Sequence, residues 1–307
     1  FVDRPVTRKV IIGTGVFLWA IFLFGCFVGH GSTGALATLL ELLGMHWMAA
    51  LFLAFVPLLA TDLITAFGFI MPRLAPSLRG WALAVGVALS LIALFQGLRS
   101  PVVQSYDVTL RGLPDEMDGT VIVAMSDLHL GSQLGERWLA DRVAQVKAQR
   151  PDLVVLLGDI FEGHGQPQGE LLLTLGRLSA PLGVWVVPGN HEFHEGQGMS
   201  ISLMEEGGLH VLRAEVRPGL VLAGVDDFTA LRRAADRRDS LSQALTGRPP
   251  GATILLSHTP WQAERAASAG VGLMLSGHTH GGQVWPFGYV TRLIYPLLEG
   301  RYEVDGT

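Results

Sequence analysis

Residues 10–28 read VIIGTGVFLWAIFLFGCFV without a charge, about as long as the ~20 residues that cross a bilayer as a helix. Two more such runs follow. Residues 47–70 carry one charge, Asp62, and one proline, Pro57; residues 81–98 are uncharged between Arg79 and Arg99. A helix that is apolar all round belongs in the core of a large protein or in a bilayer. Three of them within a hundred residues predict membrane spans near 10–29, 47–70 and 80–98. The segment between the first two holds Leu36, Leu39, Leu40, Leu42 and Leu43, and reads as an interfacial helix or as an extension of the second span. A cleaved signal peptide does not fit, because the first run lacks a small-residue cleavage site and two more runs follow it.

Charge divides the chain in the same place. Of its 22 basic and 27 acidic residues, nine fall in residues 1–100. This predicts a transmembrane region, 1–100, followed by a domain of ordinary soluble composition, 101–307. Arg4, Arg8 and Lys9 precede the first run, Arg73 and Arg79 separate the second from the third, and residues 30–46 hold neither Lys nor Arg. The positive-inside rule puts 1–9 and 71–80 in the cytoplasm. The second domain is then expected on the non-cytoplasmic face of a bacterial inner (plasma) membrane. The chain does not open on Met, so residues upstream of Phe1 are expected. Asp62, near the inner end of its run, is expected to reach the interface or pair with Arg73 rather than to serve transport. A net charge of −5 leaves no basic footprint for nucleic acid. Cys26 is the only cysteine, which excludes a disulfide framework and a thiolate metal site.

After Pro101 the pattern changes. Residues 102–110 alternate like an exposed strand. Short apolar runs then occur at 121–125, 153–157, 184–187, 220–225, 253–256 and 272–275, with helical segments at 136–150, 171–178 and 240–245. In the first of these segments Leu139, Val143 and Val146 share a face, and Pro151 ends it. Strands alternating with helices imply a layered α/β domain. The charge run at 231–239, LRRAADRRD, reads as a solvated helix or loop.

Chemistry concentrates where the apolar runs stop. VIVAM leads into Ser126, Asp127, Leu128 and His129; LVVLL into Gly158 and Asp159; VWVVP into Gly189, Asn190, His191 and Glu192. TILLS leads into His258, and LMLS into Gly277, His278, Thr279 and His280. In open α/β sheets ligands bind outside the carboxyl ends of the strands. Oxygen and imidazole donors without sulfur suit hard or borderline divalent metals. Asn190 is the only asparagine in the chain, so its place beside His191 is not part of an Asn-rich loop. His164, His194 and His210 fit none of these positions and read as loop or surface residues. Asp226 and Asp227 read as turn caps.

The D-x-H, G-D, G-N-H-E, lone His258 and G-H-T-H elements together resemble the calcineurin-like metallophosphoesterase superfamily over roughly residues 105–305. The strings Ser126-Asp127-Leu128-His129-Leu130 and Gly277-His278-Thr279-His280-Gly281-Gly282-Gln283 are similar to its membrane-associated bacterial branch of YaeI and YkuE type. The resemblance implies a four-layer α/β/β/α sandwich with two divalent cations, Mn²⁺ first, with Fe or Zn²⁺ as alternatives. It implies that Asp127, His129 and His280 hold one metal, that Asn190, His258 and His278 hold the other, and that Asp159 bridges them. His191 would be the catalytic histidine that holds no metal. Glu162 stands where the family often has Asp, and this longer acid would still reach His191. The family's domain usually continues past Gly306 and Thr307.

The implied chemistry is hydrolysis of a phosphoester, phosphodiester or pyrophosphate by metal-activated water, with no covalent phospho-enzyme. His191 would stabilise the transition state or protonate the leaving oxygen. Glu162, Gln283 and Trp285 are the candidates for substrate binding. Trp285, Phe287, Tyr289, Leu293, Ile294, Tyr295, Leu297 and Leu298 closely follow the last motif and read as an exposed apolar loop that seats acyl chains or dips into the interface, with an ordinary core segment as the rival. Membrane lipids are therefore the expected partners and a lipid-linked phosphate the expected substrate. The alternatives are a phosphodiesterase of soluble substrates, anchored only for location, and a non-catalytic membrane adaptor, which the intact donor set disfavours.

Overall fold

The computed structural model describes residues 5–29, 35–131, 133–162, 169–194, 197–212, 214–217, 219–233 and 239–307. His164 lies outside them. Two compact units divide the chain, Phe1–Asp107 and Val108–Thr307.

The first unit is three helices, α1 (Pro5–Phe24), α2 (Ala35–Ile64) and α3 (Ala75–Gly97). All three are long and apolar enough to cross a membrane. The leucines at 36–43 belong to α2, so of the two expected alternatives the continuous helix forms. At its other end α2 stops at Ile64, short of the apolar run. The Thr65 hydroxyl accepts the Gly68 N–H at 3.2 Å, and Phe67 takes a left-handed φ of 56°. Asp62 pairs with Arg79 of α3, at 2.8 Å to Nε and 2.7 Å to a terminal nitrogen, and not with Arg73. Arg73 sits in the connecting turn, whereas Arg79 is already on the returning helix. Small residues let the helices approach closely, as expected where lipid supplies no hydrophobic drive. A Cβ on Gly86 of α3 would lie 2.7 Å from the Ala54 Cα of α2.

The second unit holds two four-stranded sheets. The first runs β1 (Ile122–Met125), β2 (Leu153–Leu156), β3 (Val184–Val186) and β4 (His210–Val211), all parallel. The second runs β5 (Ala214–Arg217), β6 (Leu220–Gly224), β7 (Ala252–Leu256) and β8 (Leu273–Leu275), with only the β5–β6 pair antiparallel. Side-chain alternation along a strand sorts the core into layers. Leu153, Val155 and Leu157 face Leu220, Leu222, Ile254 and Leu256 across the space between the sheets. Val154 and Leu156 point the other way, into the helices α4 (Glu136–Ala148), α5 (Gly169–Leu175) and α7 (Gln197–Glu206); α6 (Asn190–His194) precedes α7 in the chain. On the far side Ala223 and Leu255 pack on α8 (Phe228–Arg233), α9 (Ser240–Leu245) and α10 (Ala263–Ser268). The result is the four-layer α/β/β/α sandwich.

Two local expectations fail. Residues 102–110 form no strand. Their alternation has no ladder to join among the described residues, and Val102, Tyr106 and Val108 stay exposed. The apolar stretch after the last motif is not a loop but a helix, α11 (Phe287–Ile294), and Leu298 beyond it is buried. Within the charge run, residues 231–233 close α8 and residues 234–238 lie outside the described set.

Candidate metal centre

Because β1, β2 and β3 are parallel to one another, as are β6, β7 and β8, the donor-bearing loops leave carboxyl ends of strands, where α/β sheets bind ligands. The loops remain paired beyond the strands. Asp127 N–H donates to Gly158 O at 3.1 Å, His129 N–H to Asp159 O at 3.0 Å, and Gly277 N–H to His258 O at 2.9 Å. Two bonds lace one sheet to the other. His258 Nδ1 donates to the Leu157 carbonyl at 2.6 Å, and the His278 N–H donates to the Asp127 carboxylate at 3.0 and 3.2 Å.

The side chains converge in overlapping donor groups: Asp127 with His129 and His280, His129 with Asp159 and His191, and Asp159 with His258 and His278. His129 Nε2 lies 3.3 Å from His280 Nε2, which lies 3.2 Å from Asp127 Oδ1. Asp159 Oδ2 is 3.2 Å from His258 Nε2 and 3.9 Å from His129 Nε2, so one carboxylate faces both ends of the cluster. His278 Nδ1 is 3.2 Å from His258 Nε2. Three of these histidines are steered by their other nitrogen, the usual arrangement for metal-binding imidazoles. His258 is held by Leu157 O, His129 Nδ1 bonds the Glu162 carboxylate, and His278 Nε2 lies 3.0 Å from the Tyr295 hydroxyl. Tyr295 itself stacks on Trp261, with ring centroids 5.4 Å apart.

Electrostatics favour a cation here. Burial disfavours charge on Asp127, but His280, His258 and Ser126 outweigh it and hold the carboxyl well below the carboxylate range. Asp159 is likewise buried yet lowered, chiefly by the hydrogen bond to His258. Burial opposes protonation of His258, but Asp159 and then Asp127 push it up to about 9. His278 is lowered by burial and by the charge on His258. A proton thus occupies a place that a metal can take. His129 is raised, Glu162 overcoming its burial. The residues present fit divalent ions in chemistry and in burial: nitrogen and oxygen donors without sulfur, and an Asn190 Oδ1 that is buried without a hydrogen-bond partner.

Asn190 and His191 open α6. The His191 N–H donates to Asp159 Oδ1 at 2.9 Å, and its ring meets His129 edge-on at 4.8 Å. His191 Nδ1 lies 3.8 Å from Glu162. The same glutamate therefore touches His129 and faces His191. Gln283 and Trp285 follow the last motif and are exposed, Trp285 to 63%. Asp227 is fully buried and caps the turn into α8, accepting the Ala230 N–H at 2.8 Å and the Thr259 hydroxyl. His210 lies on β4, its ring 5.0 Å from that of Trp185, and His194 ends α6.

Sequence reasoning missed two residues. Glu192 is buried and takes four backbone N–H bonds, from Gly189 at 2.7 Å, Ile160 at 2.8 Å, Asp159 at 3.0 Å and Phe161 at 3.3 Å. It ties the loop bearing Asp159 to the one bearing Asn190 and His191. The G-N-H-E string contained that signal. The chain must also pass closely here, since a Cβ on Gly189 would lie 2.2 Å from Asp159 Oδ1. Tyr295 carried no signal; it sits in an aromatic stretch that suggested lipid, yet it turns inward onto His278.

The profile of the family "Calcineurin-like phosphoesterase" matches residues 120–282, which contain all seven donor residues and His191. A transmembrane protein with metallophosphoesterase domain from Bos taurus is 31% identical over 74% of this chain and 55% of its own length. A metallophosphoesterase of Aquifex aeolicus is 36% identical over 66% of this chain and 78% of its own. The Bacillus subtilis metallophosphoesterase YkuE is 32% identical over 64% and 71%. The chain spans little more than half of the bovine relative, and 62% of one from Helicobacter pylori. On this evidence the chain belongs to the calcineurin-like metallophosphoesterase family, whose members work with divalent metal ions.

Proposed function

We propose that the chain is a dinuclear, metal-dependent phosphohydrolase held at a membrane. The observation that carries this is that Asp159 is shared by two donor groups, one with His129 and His191 and the other with His258 and His278, while Asn190 Oδ1 is buried and unpaired. In this reading Asp127, His129 and His280 hold one cation and Asn190, His258 and His278 the other, with Asp159 shared. Bound divalent cations polarise phosphoryl oxygens and lower the pKa of water.

The protein's own residues supply the rest. His191 remains partly exposed, its side chain at 31%, at an edge where a leaving group can depart. It would give its proton to the leaving oxygen as that oxygen's bond to phosphorus breaks and water, losing a proton to solvent, takes its place. Because water attacks phosphorus directly, no phospho-enzyme forms. Glu162 orients His129 by a direct bond and faces His191, acting on position rather than on substrate. Mn²⁺, Fe and Zn²⁺ all accept such donors.

The substrate in this reading is a lipid-linked phosphate ester. Support comes from the three apolar helices and from relatives named as transmembrane proteins. The test has two arms. Hydrolysis of an aryl phosphate or phosphodiester should vanish with chelator and return with Mn²⁺. A phospholipid in mixed micelles should then be turned over with higher kcat/KM than its water-soluble headgroup ester. Equal or better kcat/KM on the soluble ester overturns the lipid reading and leaves the anchor a role in location only.

A further inference from the structure

The helix α11 is amphipathic the wrong way round. Its inner side is glycine: a Cβ on Gly282 would lie 2.3 Å from the Gly288 Cα, so the helix rests directly on the last motif. Its outer side is apolar, with Tyr289 exposed to 74%, Val290 to 54%, Leu293 to 83% and Ile294 to 59%. Trp285, just ahead of it, is exposed to 63%. This face does not come from a frayed end. The Tyr295 N–H bonds Thr291 O at 2.8 Å, Thr279 Oγ1 bonds Leu298 O at 2.5 Å, and Leu298 is buried. Contiguous outward apolar side chains on a pinned helix mark a surface that something covers.

We propose that α11, together with Trp285, is an interfacial membrane-docking element, laying its outer face into the headgroup and acyl boundary beside the metal cluster. The chain itself supplies the bilayer. Its third apolar helix ends at Gly97 and the second unit begins at Val108. Residues 98–107 reach about 35 Å at full extension, so the second unit's first residue stays within that distance of the end of the third helix. The composition suits an interface rather than a span. Eight residues are too few to cross a bilayer, Trp285 and Tyr289 are the aromatic types enriched at headgroup level, and the exposed Arg292 edges the apolar face. The inference goes beyond the phosphohydrolase reading and needs no turnover for its test.

The test uses the full chain with Cys26→Ser, which removes the single native thiol, and one new cysteine carrying bimane at Val290 or Leu293. Leu173 on α5, exposed to 72%, serves as the aqueous control site. In phosphatidylcholine–phosphatidylglycerol liposomes, doxyl-labelled lipid should quench bimane at 290 and 293, and aqueous iodide quenching there should fall severalfold below that at 173. Adding Leu293→Asp should return the label at 290 to iodide. Iodide quenching at 290 and 293 equal to that at 173 overturns the proposal. So does shielding from both quenchers, which marks a second copy or another protein. Docking without lipid hydrolysis would refute the lipid-substrate reading and leave this one standing.

Discussion

Glu192→Ala is the most informative single change, because its cost can be worked from the contacts. The side chain is 2% exposed, and its two oxygens accept four backbone N–H groups, at 2.7, 2.8, 3.0 and 3.3 Å. An orphaned buried donor costs about 1–3 kcal/mol. Four would reach roughly 4–12 kcal/mol if none were rescued. Two effects reduce this. Burial and the nearby Asp159 charge push the Glu192 carboxyl up despite its four donors, so removing it also removes a repulsion. The space left is polar, and a water entering it satisfies some donors. About 4 kcal/mol remains, comparable with the whole stability of a marginal domain. For a domain of ~200 residues that lowers Tm by about 8–16 °C. Glu192→Gln keeps one good acceptor but sets an amide N–H₂ against donors, and should cost about half as much. The assay is thermal unfolding of the full chain in detergent, with hydrogen exchange followed in peptides covering 157–162 and 187–193. An alanine variant that melts within about 2 °C of the parent and keeps protection in both peptides would refute the reasoning.

His191→Ala should lower kcat by about 10²–10⁴-fold and leave bound metal, measured by atomic emission, unchanged. Metal affinity should rise with pH until about 9, because the proton on His258 must leave before its Nε2 can bind a cation; calorimetry in buffers of different ionisation heat should show proton release. The raised His258 pKa stabilises the metal-free fold below 6.5 and that contribution is lost as pH rises through about 9. The lowered Asp127 and Asp159 pKa values stabilise it above 3.8 and their contribution is lost as pH falls, so metal-free melts should peak between these limits. Tyr295→Phe should weaken metal binding about 10–100-fold at the His278 end of the cluster, read by titration of metal-depleted protein. Protease added to intact spheroplasts should cut residues 101–307; full protection until the membrane is broken would reverse the orientation drawn from Lys and Arg.

What the sequence disclosed follows from which forces are local. Strand runs such as 153–157 are legible because both faces are buried, and the apolar helices because bilayer length and lack of charge are properties of composition. The donors are legible because each stands directly after such a run. Partners set by tertiary approach are not. Asp62 meets Arg79 rather than Arg73 only because α3 returns along α2. Tyr295 reaches His278 because α11 folds back on the last motif. The alternation at 102–110 has the pattern of a strand, but a strand needs a ladder partner, and sequence alternation alone cannot supply one.

The donor loops also run against local preference, which explains why the motifs have their form. Asp127, His129, Asp159, His278 and His280 all take left-handed φ, between 44° and 71°. Such conformations are uncommon outside glycine, and each costs on the order of 1–3 kcal/mol unless its surroundings fix it. In D-x-H and H-x-H the two donors of each motif both sit there, separated by one residue of ordinary conformation. The supports run between motifs rather than within one: the backbone pairing of 127–130 with 158–160, the Asp127 carboxylate on the His278 N–H, and Glu192 on the Asp159 N–H. Strain concentrated on five donors, and the bonds that hold it, converge on one cluster. Conformational energy is thereby spent on folding to preorganise the donors, and the parallel sheets beneath supply the rigidity that keeps the loops from relaxing.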